Sequence, residues 1–268
     1  MYKTVLTSLA FALSAASLIS VPATAVELSA SAGLLYFDYQ EFDTDGSSLN
    51  HETGIIPGLS LAAHEKAFGF EHTIALTAWQ GRVDYQGQTQ AGIPHTTNTD
   101  ESIYKAHYRF DWQPENSMGG LYGKVSWQNW DRDIRPANGV SGLFERYQWW
   151  TLEAGLHADL YQADKHNIFV EFGVLATTNG TVKIDLSNSG YGEPTLDLGD
   201  GTGLAVRAGW SRLLNKNNSW SILFDYTRWD FGRSNSQSLS DGINSIIITE
   251  PESLSKQASL RFIYQHHF

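Results

Sequence analysis

The stretch that most constrains the fold is the last one, residues 254–268, which reads LSKQASLRFIYQHHF. From Leu260 to Tyr264 every second residue is apolar, and the same parity runs on to the terminal Phe268. Mainly polar residues occupy the positions between them. Alternation with a period of two places the two sets of side chains on opposite faces of a β-strand. The sequence therefore predicts that the chain ends in a strand with one apolar and one mainly polar face.

The first 25 residues have the features of a secretory signal peptide. Lys3 precedes an apolar run over residues 5–19, and Ala23-Thr24-Ala25 has the A-x-A pattern of a signal peptidase site. The chain contains no cysteine, so we expect neither a lipid attachment site nor a disulfide framework. We predict that residues 1–25 are a cleaved signal and that residues 26–268 form one domain.

Alternating segments that end in turn residues recur along the whole mature chain. The segment at 144–160 shows the pattern most cleanly, with apolar residues at the even positions from Trp150 to Leu160 and polar residues such as Glu153 and Asp159 between them. Ten segments of this kind predict ten strands. Their approximate bounds are 28–42, 53–64, 68–85, 101–112, 121–133, 144–160, 167–183, 203–213, 220–233 and 254–268.

The predicted strands have the lengths and connections of a closed barrel. After the signal, no apolar run reaches the roughly 18 to 20 residues that a transmembrane helix needs. A chain that spans a membrane without helices must pair all its backbone groups in a closed barrel. Short connections alternate with long polar ones, which cover residues 43–50, 86–98, 134–143, 185–200 and 234–253. We therefore predict an all-β protein, an antiparallel transmembrane β-barrel of about ten strands.

The composition agrees with a barrel and argues against one class of partner. Nine Trp, twelve Tyr and thirteen Phe suit the aromatic girdles of such a protein at the two bilayer interfaces. Asp and Glu number 29 against 18 Lys and Arg, which gives a formal net charge of −11. This acidic balance speaks against nucleic acid as a partner.

A strand that is apolar on one face and ends the chain on Phe resembles the closing strand of bacterial outer-membrane β-barrels. The resemblance implies the outer membrane of a Gram-negative bacterium, with short periplasmic turns and long extracellular loops. It also implies contact with outer-membrane lipid and lipopolysaccharide, and with the barrel assembly machinery and periplasmic chaperones. Tyr264 and Phe268 would then belong to the assembly signal. Ten strands is the size class of the omptins, which are outer-membrane proteases.

If the apolar parity faces lipid, the other parity faces the lumen. Buried charges must pair, because an isolated buried ion is costly. One interpretation is a structural network that plugs the lumen, and the other is a narrow polar channel in which the same residues set selectivity. The lumen residues that we predict are Glu71, Lys105, His107, Arg109, Lys124, Glu153, His157, Glu171, Arg207, Asp225 and Arg261.

Catalytic constellations have weaker support in the sequence. Omptin chemistry needs an Asp pair facing an Asp-His pair at the extracellular rim. Asp131 and Asp133 suit the first pair, with a solvated rim as the structural alternative. Asp164-Lys165-His166 falls in a periplasmic turn, so His95 would have to take its place. No His-x-Ser occurs, which removes the pattern of lipid A deacylases.

The leading hypothesis is therefore a non-enzymatic outer-membrane barrel with a charge-paired lumen and extracellular loops for surface interaction. The alternative is a narrow porin-like channel for ions or small solutes, and an omptin-like protease comes third. We expect no cofactor and no metal site, because the spacing around Asp197 and Asp200 does not match a calcium loop. His266 and His267 are adjacent in a strand and point to opposite faces, so they do not form a metal site.

Overall fold

The structure is a computed structural model that describes residues 26–89 and 92–268. The predicted signal, residues 1–25, lies outside the described residues. The described chain has one short 3-10 helix, Ser187–Ser189. Its strands are β1 Glu27–Phe42, β2 Ser48–Ala67, β3 Phe70–Gln88, β4 Pro94–Trp112, β5 Gly119–Ile134, β6 Leu143–Ala163, β7 His166–Asp185, β8 Thr195–Asp197, β9 Gly201–Asn215, β10 Asn218–Phe231, β11 Ser236–Ser240, β12 Ser245–Thr249 and β13 Glu252–His267.

Ten of these strands close into one antiparallel barrel, which confirms the predicted fold class. Each of β1 to β6 pairs with the next strand in the chain. The barrel then continues through the pairs β7–β9, β9–β10 and β10–β13, and β13 pairs with β1. In the closing pair Glu27 faces His267 and Phe42 faces Glu252. The remaining strands are additions at one end, where β8 pairs with β7 and β11 forms a hairpin with β12. All ten predicted segments correspond to barrel strands.

The two ends of the barrel differ. Both ends of the described chain and the tight turns after β2, β4, β6 and β9 lie at one end, which we call the short-turn end. The opposite, long-loop end carries β8 and the β11–β12 hairpin. In the part of the chain that the structure describes, no helix is long and apolar enough to cross a membrane.

Two adjacent apolar residues in a strand mark the level at which the apolar side chains change from the outer to the inner face of the barrel wall. Tyr36 points outward and is 45% exposed, whereas its neighbour Phe37 points inward and is 1% exposed. Trp149 and Trp150, at 2% and 46%, show the same change in β6. Towards the short-turn end the outer face is apolar and the inner face polar. Towards the long-loop end the inner face is apolar, and the outer face carries charged residues such as Arg82.

The loops at the long-loop end are shorter than predicted, because the strands continue beyond the level at which the apolar face changes side. Residues 86–98 read as a polar loop, but β3 continues to Gln88 and β4 starts at Pro94. The strands therefore extend beyond the apolar belt. Their outward residues are polar there because they face water, and that polarity gave them the appearance of loops.

Candidate functional site

The half of the lumen nearer the short-turn end, which we call the lower half, contains a network of ion pairs centred on Arg207. Its guanidinium lies 2.7 Å from Glu153, 3.3 Å from Glu171 and 2.5 Å from Asp225. The three carboxylates come from β6, β7 and β10, so Arg207 on β9 links four strands. Arg207 is itself buried, and its Nη1 also donates to the Tyr122 hydroxyl at 3.1 Å.

Three further predicted residues join this lumen network. Arg109 donates to Glu171 at 2.6 Å and also contacts Asp111. Lys124 contacts Glu153, its direct neighbour across β5 and β6. The ring of His157 lies 3.2 Å from both Glu171 and Asp159. Opposite charges are thus paired in the low-dielectric lumen, where an unpaired ion would be costly.

Four predicted lumen residues remain outside these pairs. Among the described residues, the side chains of Lys105, His107 and Arg261 take part in no ion pair or hydrogen bond, although all three line the lumen. Glu71 lies at the short-turn rim, where its carboxylate is 4.0 Å from the ammonium of Lys66. That pair is exposed, so it contributes little to stability.

The network surrounds a polar cavity of about 520 Å³ inside the barrel. At its lower limit the cavity reaches Gln113 and Gln162, which lie beside the tight turns, so it opens towards the short-turn end. Its upper limit is formed by Trp79, Ile103 and Leu35. The cavity is therefore a blind pocket, with polar walls and an apolar roof.

The roof is the lower edge of an apolar cluster that fills the barrel above it. Trp130 stacks on Tyr147 with ring centroids 4.7 Å apart and meets Tyr39 edge-on at 4.9 Å. Trp149 packs edge-on against Phe231 at 5.3 Å. We call this group the aromatic cluster; its buried members are Leu35, Phe37, Tyr39, Ile56, Trp79, Val83, Ile103, Trp130, Tyr147, Trp149, Leu175, Val182, Ile184, Leu196, Trp229, Phe231 and Ile248.

Within the aromatic cluster lies an acidic group that the sequence analysis missed. Arg132, only 1% exposed, donates to Glu52 at 2.8 Å, and its Nη1 lies 2.8 Å from Glu41 and 2.6 Å from Glu145. Two more buried carboxyls face the same centre. Glu101 accepts from the indole of Trp130, and Glu250 accepts from the Tyr147 hydroxyl at 2.6 Å. We call Arg132 and these five glutamates the Arg132 cluster.

In the Arg132 cluster one cation faces five buried carboxyls, so the carboxyl groups outnumber the positive charge that could balance them. Glu250 lies between β12 and β13, outside the barrel strands. Burial, with the nearby charges of Glu41 and Glu145, raises the pKa of the Glu250 carboxyl well above its ordinary value. The sequence analysis offered a solvated rim as the structural alternative for Asp131 and Asp133, which flank Arg132 in the chain. The signal for burial was its inward parity with Trp130 and Ile134.

The two rim candidates lie on the outside of the wall. Asp131 accepts from Arg146 at 2.6 and 2.9 Å, and Asp133 shares its outward parity. His95 is buried, with its Nε2 3.2 Å from the Arg135 carbonyl oxygen and its ring against Tyr85. His95 and the aspartates therefore face opposite sides of the sheet. The described residues do not bring the pairs of an omptin constellation together.

The remaining candidates are placed as follows. Tyr264, on the apolar outer face, donates to Asn218 at 2.6 Å, and Phe268 is exposed at the short-turn end. His266 lies 2.9 Å from Asn218, whereas His267 lies 2.7 Å from Glu27. Within residues 26–89 and 92–268, no group of three or more histidine, aspartate or glutamate residues has a geometry that would hold a metal ion.

The β11–β12 hairpin is the most prominent feature of the long-loop end. Its inner residue Ile248 is buried in the aromatic cluster, whereas Ile243 and Ile247 are 91% and 71% exposed. At the tip, the Asp241 carboxylate accepts from the backbone N–H groups of Ile243 at 2.8 Å and Asn244 at 2.6 Å. These bonds lower the pKa of Asp241 and hold the tip in one conformation.

Comparisons with known proteins identify the architecture. No known protein family matches the sequence, and no curated protein matches it significantly. The chain is similar to the outer membrane protease OmpT from Escherichia coli, with a TM-score of 0.57 and 11% identity over 94% of this chain and 99% of that chain. The translocator domain of the autotransporter NalP from Neisseria meningitidis has a TM-score of 0.46 and 13% identity, over 98% and 96% of the two chains.

At this level of identity the likeness to OmpT shows the fold and no activity. The chain has the closed ten-stranded barrel of outer-membrane proteins, as its closing strand suggested. The function must therefore be argued from the side chains of this barrel rather than from its neighbours.

Proposed function

We propose that this protein is a non-enzymatic outer-membrane barrel, closed on its extracellular side, that contacts external surfaces through its β11–β12 hairpin. The observation that carries the proposal is the packing of the upper barrel, where the aromatic cluster and the Arg132 cluster occupy the lumen. A barrel filled in this way supports a rigid external surface. Recognition commonly resides on loops that a rigid scaffold positions.

The orientation follows from the two ends. In outer-membrane barrels the short turns are periplasmic and the longer connections are extracellular. The short-turn end, with the tight turns and the C-terminus, would then lie in the periplasm. The hairpin, the Arg132 cluster and the charged outer wall would lie outside the cell.

The channel and protease alternatives have less support. A channel needs a continuous aqueous path, whereas the cavity ends beneath Trp79 and Ile103. Proteolysis of the omptin kind needs an Asp-His pair facing Asp131 and Asp133, and those aspartates point away from the lumen. The exposed Ile243 and Ile247, by contrast, favour a role in contact with an apolar external surface.

Replacing both exposed isoleucines, Ile243→Ser with Ile247→Ser, is expected to reduce adhesion of expressing cells to polystyrene several-fold. The two side chains are the main apolar surface of the hairpin, and the buried Ile248 remains to anchor it. Each lost side chain removes about 1.5–3 kcal/mol of apolar contact where it is fully buried against a surface. Adhesion is measured by crystal violet staining, with surface expression checked by antibody labelling.

A matched control is Phe68→Asn, which removes an exposed aromatic from the opposite end of the barrel. Phe68 is 96% exposed and has a φ of 55°, a conformation that Asn tolerates. This variant should adhere like the wild type. Equal adhesion of the wild type and the double isoleucine variant, at equal surface expression, would remove the hairpin from the proposal.

A further inference from the structure

Two buried hydrogen-bond donors that line the blind cavity have no partner within the protein. Lys105 on β4 lies directly opposite Gln128 on β5, and both side chains line the upper part of the cavity. Gln128 is 5% exposed, and its amide nitrogen Nε2 has no hydrogen-bond partner. Across the lumen, the buried Nε of Arg261 on β13 also has no partner. A buried donor without an acceptor is costly, so these groups point to an absent acceptor.

The ion pairs in the cavity also indicate that an acceptor is absent. Within the described residues neither Lys105 nor Arg261 forms an ion pair, although both carry a positive charge. The acidic partners are already engaged: Glu153 by Lys124 and Arg207, Glu171 by Arg109 and Arg207, Asp225 by Arg207, and Asp111 by Arg109. Of the carboxylates, Asp225 has the strongest electrostatic interaction with Lys105 and with Arg261, but it is already in contact with Arg207. Among the described residues that line the cavity, Lys105 and Arg261 are therefore the cations without an ion-pair partner.

We propose that this cavity binds a small anionic solute, an oxyanion such as a phosphate or carboxylate group, between Lys105, Gln128 and Arg261. Lysine supplies a point charge, arginine supplies N–H donors suited to a carboxylate or phosphate, and the glutamine amide adds a neutral donor. The volume of about 520 Å³ exceeds that of a single anionic group, so the ligand has a polar body as well. Serine and threonine hydroxyls, such as those of Ser60 and Thr77, line the wall that this body would contact.

The site is accessible from the short-turn end only, because the aromatic cluster forms its roof. In the orientation proposed above, the solute would come from the periplasm. The inference does not depend on the hairpin or on adhesion, and it holds for the refolded protein in detergent, where both ends are open to solvent.

The test is isothermal titration of the refolded mature protein with inorganic phosphate and, separately, with succinate, in a buffer free of both anions. We expect saturable binding of at least one anion at one site per barrel. The variants Lys105→Met and Arg261→Met should each weaken binding by about tenfold to a hundredfold, the effect of losing one charged hydrogen bond. Gln128→Leu changes no charge, so weaker binding in this variant reports a direct contact.

Lys256→Met is the matched control, because Lys256 lies on β13 like Arg261 but on the outer face, 3.6 Å from Asp38. It should bind the anion as the wild type does. Folding of every variant is verified by heat-modifiable gel mobility. The proposal is overturned if neither anion binds the folded wild type. It is also overturned if the double variant Lys105→Met/Arg261→Met binds the anion as tightly as Lys256→Met does.

Discussion

Replacing Arg132 by methionine is expected to destabilise the barrel by about 3–5 kcal/mol at neutral pH, the usual cost of leaving buried charges without their partner. Arg132 is the cation at the centre of five buried carboxyls, and Glu41, Glu52 and Glu145 lie within 2.8 Å of its guanidinium. Methionine retains much of the volume and removes the charge. The measurement is urea unfolding of the refolded protein in lipid vesicles, followed by tryptophan fluorescence.

The loss should depend on pH in one direction. Burial raises the pKa of Glu250 in the folded protein, so this group favours folding while it is protonated and loses that contribution as the pH rises through its folded pKa. Without Arg132, protonation is the remaining way to remove the excess negative charge. The deficit of the Arg132→Met variant should therefore shrink as the pH falls from about 7 towards the ordinary carboxyl value of about 4.3.

Arg146→Met is the control for Arg132→Met. Arg146 also pairs with a carboxylate, Asp131 at 2.6 Å, but on the exposed outer wall. An exposed pair of this kind contributes about 0–1 kcal/mol, so the control should unfold almost as the wild type does. Equal unfolding of Arg132→Met and Arg146→Met would show that the Arg132 cluster is not a structural centre of the barrel.

Replacing Arg207 by methionine is expected to cost about 3 kcal/mol, the lower end of the range for a broken buried ion pair. Arg207 is shared by Glu153, Glu171 and Asp225, but two of these keep another cation: Glu153 retains Lys124, and Glu171 retains Arg109. Asp225 alone loses its ion-pair partner. The effect should therefore be smaller than that of Arg132→Met in the same unfolding measurement.

A second substitution separates charge from packing in the lumen network. Asp225→Asn in the Arg207→Met background removes the unpaired carboxylate, so this double variant should regain part of the lost stability. Arg228→Met on the outer face of β10 serves as the control and should leave unfolding unchanged. If Arg207→Met unfolds with the wild type, the network does not stabilise the lumen.

The sequence was sufficient to predict the strands because lipid and lumen impose opposite chemistry on alternate residues. Leu260, Phe262 and Tyr264 all point outward, as their parity required. The same alternation identified the lumen network, since Arg207 and Glu153 share the inward parity. The two-residue alternation alone was therefore sufficient to predict which face of the barrel wall most charged residues of the lumen network occupy.

The upper barrel was harder to predict because the pattern changes phase there. Beyond the Tyr36-Phe37 and Trp149-Trp150 doublets, apolar residues point inward and polar residues point outward, so the strand extensions resemble loops. The Arg132 cluster depends on side chains from several strands and from the segment after β12, and no local pattern brings Glu250 to Arg132. Adjacent apolar residues in otherwise alternating segments are the signal that marks this level.

Single-channel recording determines whether the barrel is closed above its polar cavity. The refolded protein is inserted into planar bilayers, and folding is verified by heat-modifiable mobility. We expect no steady openings, because the aromatic cluster and the Arg132 cluster fill the lumen above Trp79 and Ile103. Steady openings whose conductance changes in Lys105→Met or Arg207→Met would show that the lumen is open and that the protein is a channel.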